Sequence, residues 1–142
     1  MLEFIARGFA IALFFLASGV YAEEHRMNVD DLAVPINDQA AVNQGGEVFS
    51  EKCAACHGGQ AVGTGRAPCL SCGKFMFRGN TNSEIFETIY SGTPRTGSRG
   101  GKMGAFNTML TNAEIINVVA YLRATERSRI AAGEIEDPAA AN

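Results

Sequence analysis

The chain has 142 residues, a formal charge of −3 and 46% hydrophobic side chains, which fits one domain of ordinary composition. Its mildly acidic balance gives no footing for nucleic-acid binding. The charge is uneven, with seven acids and two bases from Glu23 to Lys52 against six bases and two acids from Cys53 to Met103.

Residues 1–22 have the layout of a secretory signal peptide: Arg7, an apolar run from Phe9 to Leu16, then Val20-Tyr21-Ala22 before Glu23-Glu24. The apolar core is about half of the ~20 residues that span a bilayer. The expectation is therefore cleavage, no membrane span afterwards and a periplasmic product. Retention as an anchor is the alternative. Residues 23–44 read as an irregular leader, 45–127 as the domain and 128–142 as a mobile, Ala- and acid-rich tail.

Four cysteines in an exported chain first suggest two disulfides. Cys53-Ala54-Ala55-Cys56-His57 has a better reading. In C-x-x-C-H, each thiol can form a thioether to a haem vinyl group, and the adjacent histidine offers a ring nitrogen to the iron. A zinc site is poorly served, because His25 is the only other histidine. One covalent haem c (heme c) with its iron is expected.

The stretch from Gly46 through Phe49 and Cys53 to Gly58 resembles the opening of a class I cytochrome c. That resemblance implies a glycine (Gly46 or Gly45) and Phe49 on a first helix packed against a last helix. Gly63-Thr64-Gly65-Arg66-Ala67-Pro68-Cys69-Leu70 resembles the next family segment. It implies that the Pro68 carbonyl accepts a hydrogen bond from the haem histidine. Cys69 and Cys72 form a second C-x-x-C, but Gly73 follows where a second haem needs histidine. A disulfide is the favoured reading, of small stability value because the loop is short. A redox-active pair is the alternative, with no basic partner evident close by. Phe75-Met76-Phe77 reads as an apolar wall of the haem pocket.

Thr81-Asn82-Ser83-Glu84 is a capping box that starts a middle helix, with Ile85, Phe86, Ile89 and Tyr90 apolar and Gly92 as the stop. Gly100-Gly101-Lys102-Met103-Gly104-Ala105-Phe106 resembles the family's G-x-M-P-x-F loop. It implies Met103 as second iron ligand, with Gly104 in place of the usual proline. Met76, His25 or an empty position are the alternatives, and Met109 reads as core filler. Thr111 to Glu114 is a second capping box. Ile115, Val118, Val119 and Leu122 follow at i, i+3, i+4, i+7, and Tyr121-Leu122 resembles the family's closing motif. No strand pattern or internal repeat occurs. The expected fold is all-α: a cytochrome c fold of three main helices and loops wrapped around one covalent haem.

With both His57 and Met103 on the iron, no position is open to substrate. The expected role is therefore a single-electron carrier and not an enzyme. Its donor would be a periplasmic dehydrogenase, the quinoprotein alcohol dehydrogenases among them, and its acceptor a cytochrome or terminal oxidase. Arg66, Lys74, Arg78, Arg95, Arg99 and Lys102 would form either a basic docking rim or a solubilising scatter. The alternative function is a five-coordinate haem protein that binds small gases or peroxide, favoured by Gly104 and opposed by the lack of a spare histidine or acid–base pair.

Overall fold

The computed structural model describes residues 32–73, 81–93 and 102–138, and the statements below concern those residues. They form four α-helices: α1 Gln39–Lys52, α2 Ala54–His57, α3 Asn82–Ser91 and α4 Asn112–Ala131, with a 3₁₀ turn Gly59–Ala61 after α2. The three long helices match the three expected main ones; α2 is a single turn. The sole β feature among the described residues is an isolated bridge between Thr93 and Met103. No helix among them is long and apolar enough to cross a membrane. The signal-peptide reading of residues 1–22 lies outside the described residues.

Helix α1 begins at Gln39, six residues before the expected start of the domain at residue 45. Asp38 is its N-cap, accepting hydrogen bonds from the Ala40 N–H (2.9 Å) and the Ala41 N–H (3.4 Å). The start was obscured because Gly45 and Gly46 are poor helix formers in the middle of α1. Tertiary contact reverses that preference. Ala41, Gly45 and Phe49 are buried on one stripe at i, i+4, i+8. A Cβ at Gly45 would collide with the Asn117 carbonyl of α4, so only glycine lets the two backbones cross this closely. At Gly46 a Cβ would meet only the Tyr121 ring, at 3.1 Å. Phe49 then packs against Tyr121 with ring centroids 5.2 Å apart. Of the two candidate glycines, Gly45 makes the crossing.

Helix α4 supplies the opposing surface. Ile115, Val118 and Val119 are fully buried and Leu122 nearly so. Both predicted capping boxes are present, Thr81 with Glu84 and Thr111 with Glu114. Helix α3 adds Ile85 and Ile89 to the same core, while Phe86 and Tyr90 pack against it and stack on each other at 5.9 Å. The segment before α1 is tied down as well: the Leu32 N–H donates to Ser83 Oγ (2.9 Å), and Asn82 Nδ2 donates to the Leu32 carbonyl (2.9 Å).

Helix α4 also runs into the stretch read as the tail. Helix α4 continues to Ala131, and the chain up to Pro138 returns to the 69–73 loop, where a Cβ at Gly73 would lie 3.3 Å from Pro138 Cδ. Polar anchoring explains this. Glu126 is buried and paired with Arg123 (3.0 Å), and Arg129 is paired with Glu134 (2.9 Å).

Candidate functional site

Helix α1 ends at Cys53, whose N–H still donates to the Phe49 carbonyl (2.8 Å), and the turn of α2 starts at once. That turn places Cys53, Cys56 and His57 together: the Cys53 carbonyl accepts from the Cys56 N–H (3.1 Å) and the His57 N–H (2.9 Å). Cys53 points into the hydrophobic core and Cys56 is exposed. Burial, with a smaller contribution from the neighbouring Cys56, pushes the Cys53 thiol up to about 11. Both thiols are free, whereas Cys69 and Cys72 are bonded to each other.

His57 is 8% exposed, and its Nδ1 lies 3.0 Å from the Pro68 carbonyl oxygen. With the proton on Nδ1, the ring donates to that carbonyl and keeps the Nε2 lone pair for a metal. A tight loop brings Pro68 to this point. Gly58 and Gly63 take φ of 77° and 85°, and the Gly63 N–H donates to the His57 carbonyl (2.7 Å). A Cβ at Gly63 would stand 2.6 Å from the Cys69 nitrogen and 3.0 Å from the Pro68 carbonyl carbon, so glycine is needed for space as well as for φ.

Gln60 and Ala61 adopt positive φ (55° and 59°) although neither is glycine. Such strain persists only where the surroundings over-determine it. The Ala61 carbonyl here accepts from the Leu70 N–H (2.7 Å), the Ser71 N–H (3.2 Å) and Ser71 Oγ (3.3 Å). Ser71 is fully buried and also donates to the Gln60 carbonyl (2.9 Å). No sequence signal marked Ser71. Nor did any mark Arg129, whose Nη1 donates to Ser71 Oγ (2.9 Å) and the Ser71 carbonyl (3.1 Å) and approaches Cys72 Sγ (3.6 Å) and Cys69 Sγ (3.8 Å). The cysteine pair therefore has a basic partner after all, 57 residues away from Cys72 and invisible to local reading.

Met103 is half-buried and packs against the core cluster that contains Cys53. Its carbonyl accepts from the Thr93 N–H (3.0 Å), and its own N–H donates to Thr93 Oγ1 (3.4 Å). Gly92, expected only to stop α3, does more. A Cβ there would lie 2.6 Å from the Met103 carbonyl oxygen and 2.8 Å from the Ala105 nitrogen. Farther along, the Phe106 N–H donates to the Ile89 carbonyl (3.1 Å). The methionine loop is thus held to the end of α3 on both sides of Gly104. Met109 is 59% exposed, which corrects its reading as core filler; Leu110 is the buried residue there. The reason is local: the Met109 and Leu110 N–H groups both donate to the Phe106 carbonyl, a turn that presents Leu110 inward.

Of the expected basic rim, Arg66 and Lys102 are described and exposed. Lys74, Arg78, Arg95 and Arg99 lie outside the described residues, as do the alternative ligands His25 and Met76 and the pocket-wall residues Phe75 and Phe77. Two free thiols on one turn, an imidazole with Nε2 unused and a loop-borne thioether are a donor set that could hold a covalent haem and its iron.

The family model described as cytochrome c matches residues 42–126. The oxidase subunit FixP of Sinorhizobium medicae, described as cbb3-type, is 34% identical over 94 residues, covering 64% of this chain and 32% of its own length. Cytochrome c-L of Methylorubrum extorquens is 30% identical over 89 residues, covering 62% and 42%. Among solved structures, cytochrome CL from Methylophaga aminisulfidivorans superposes with a TM-score of 0.54 at 29% identity, covering 71% of this chain and 63% of that one. The chain thus spans less than half the length of these curated relatives.

Proposed function

Because the chain belongs to the cytochrome c family and carries covalent haem c with its iron, we propose that Cys53 and Cys56 would hold that haem, that His57 and Met103 would bind its iron, and that the protein is a monohaem carrier of single electrons. The observation that carries this reading is the 3.0 Å contact from His57 Nδ1 to the Pro68 carbonyl, on the same turn as two free thiols. The haem supplies a one-electron ferric/ferrous couple.

The protein's own residues do the rest. Cys53 anchors the group from inside the core and Cys56 from the surface side. Pro68 fixes the imidazole tautomer and orientation, and donation to its carbonyl strengthens Nε2 as a ligand. Thr93 and Gly92 hold the Met103 backbone, and the thioether, a soft ligand, favours the reduced iron. The gas-binding alternative rested on Gly104. The bonds from Thr93 to Met103 and from Phe106 to Ile89 secure the loop without a proline, which supports a loop that would hold Met103 toward the iron, the carrier reading and a non-enzymatic role.

The location that fits this role is the periplasm. The donor is a periplasmic dehydrogenase, with quinoprotein alcohol dehydrogenases as the first class to try. The acceptor is a cytochrome or a terminal oxidase, the assembly that the FixP relative's name specifies. Anaerobic stopped-flow mixing of the ferric protein with a substrate-reduced quinoprotein alcohol dehydrogenase tests the donor. Second-order haem reduction that slows with ionic strength supports the carrier and a basic docking rim. Haem reduction that stays absent with every periplasmic dehydrogenase tried, together with peroxide turnover, would overturn the carrier reading.

A further inference from the structure

A cross-link between residues three apart adds little chain-entropy stabilisation, so the Cys69–Cys72 bond needs another explanation. Its two sulfurs are unequal. Cys72 is exposed and Cys69 is half-buried. The Arg129 guanidinium reaches both, at 3.6 Å and 3.8 Å, from the last turn of α4. The Arg129 side chain is only 16% exposed, so its charge is weakly screened, and the acid paired with it, Glu134, sits on Nε and is 55% exposed. A guanidinium does little for a neutral disulfide but stabilises a thiolate as it forms. The bond also sits one peptide from the site: Cys69 follows Pro68, whose carbonyl faces His57, and Gly63 is wedged against that same peptide.

We propose that Cys69–Cys72 is a reducible site for a dithiol reductant, activated by Arg129, and that its state sets the His57–Pro68 hydrogen bond and through it the haem potential. The second half rests on His57 being the iron ligand.

The exchange is balanced as follows. One thiolate of the reductant attacks exposed Cys72 Sγ, the Cys69–Cys72 bond breaks, and Cys69 leaves as a thiolate that stays paired with Arg129. The reductant's second thiol then displaces Cys72 and leaves with its own new disulfide. The dithiol gives up two electrons and two protons: both electrons and one proton go to the cysteine pair, as the Cys72 thiol and the Cys69 thiolate, and the other proton goes to solvent. Closed, the ring pins the Pro68 carbonyl, and donation from His57 favours ferric iron. Open, the loop relaxes, the donation weakens and ferrous iron gains.

The test uses the haem-loaded protein equilibrated in mixtures of reduced and oxidised dithiothreitol. Thiols are trapped by alkylation and counted by mass, and the haem is titrated spectroelectrochemically in the closed and trapped-open forms. Cys69→Ser/Cys72→Ser serves as a permanently open form made without alkylation. The expected result is about a threefold shift toward ferrous haem in both open forms, or roughly 30 mV at 59 mV per tenfold for one electron. In Arg129→Met, the thiol equilibrium should move about tenfold toward the disulfide. Identical haem potentials for open and closed forms, or an Arg129→Met equilibrium equal to wild type, would overturn the proposal. Peptide mapping of the same samples separates the two readings: haem found off Cys53 and Cys56 defeats the proposed haem site, whereas correct attachment with unmoved potentials overturns this inference and leaves that site standing.

Discussion

Replacing Gly45 with alanine tests the architecture that positions the haem turn. Alanine is the better helix former by about 1 kcal/mol, so propensity alone predicts a more stable protein. The crossing predicts the opposite. The new Cβ would overlap the Asn117 carbonyl and stand 3.0 Å from the Val118 nitrogen. Both are backbone atoms, so no rotamer change relieves the clash, and α1 must move away from α4. That shift loosens the contacts of Phe49 with Tyr121 and with the buried stripe at Ile115 and Val118. Overpacking of this kind costs about 1–3 kcal/mol, sometimes more. A backbone clash belongs at the upper end, which leaves a net loss of roughly 2 kcal/mol once the propensity gain is set against it. Gly46→Ala is the matched control, because its Cβ would meet only the Tyr121 ring at 3.1 Å, and a side chain can yield by a few tenths of an ångström. The two variants share the propensity term, so it cancels in their difference. Guanidinium denaturation of the haem-loaded proteins, followed by circular dichroism, should place Gly45→Ala about 3 kcal/mol below Gly46→Ala with equal m-values. Coincident midpoints, or the reverse order, would show that Gly45 does not make the crossing.

Two further predictions concern the loop and a cap. Gly63→Ala should lose roughly 2–5 kcal/mol, from about 1–2 for the left-handed φ and 1–3 for the collision with the Pro68–Cys69 peptide. Gly65→Ala, with nothing within 4 Å of its Cβ, should stay near wild type in the same denaturation series. At the start of α4, the Thr111 N–H and hydroxyl both donate to Glu114 (2.8 Å each), and these bonds hold its carboxyl below the usual glutamate range. A carboxyl depressed on folding stabilises the protein above the unfolded value of about 4.3, and this is lost as pH falls through the lower folded value. The melting-temperature gap between wild type and Glu114→Gln should therefore be largest at neutral pH and shrink below about pH 4. A gap independent of pH would remove the charge from the account.

How legible the fold was depended on whether the signal was local. Thr111 to Glu114 and the Ile115–Leu122 stripe could be read directly, because a capping box and a 3.6-residue period are written within one helix. Helix α1 was harder, since Gly45 and Gly46 argue against a helix until the Asn117 backbone is known to lie against them. In the site, C-x-x-C-H is a contiguous pattern and Pro68 lay at a readable spacing from it. Ser71 and Arg129 lay beyond reach. Their roles come from the strained Gln60–Ala61 turn and from the end of α4 meeting a loop far earlier in the chain, and neither leaves a periodic or compositional trace. Gly92 was half legible: its stop signal is local, while its contact with the Met103 carbonyl is not.

The most direct test of the central claim, an iron closed by His57 on one side and Met103 on the other, is the absorption spectrum of the reduced protein with and without carbon monoxide, run beside Met103→Ala. Wild type should show no change on adding carbon monoxide, and Met103→Ala a clear shift. A wild-type spectrum that shifts as readily as that of the variant would mean the iron is open and Met103 does not ligate it.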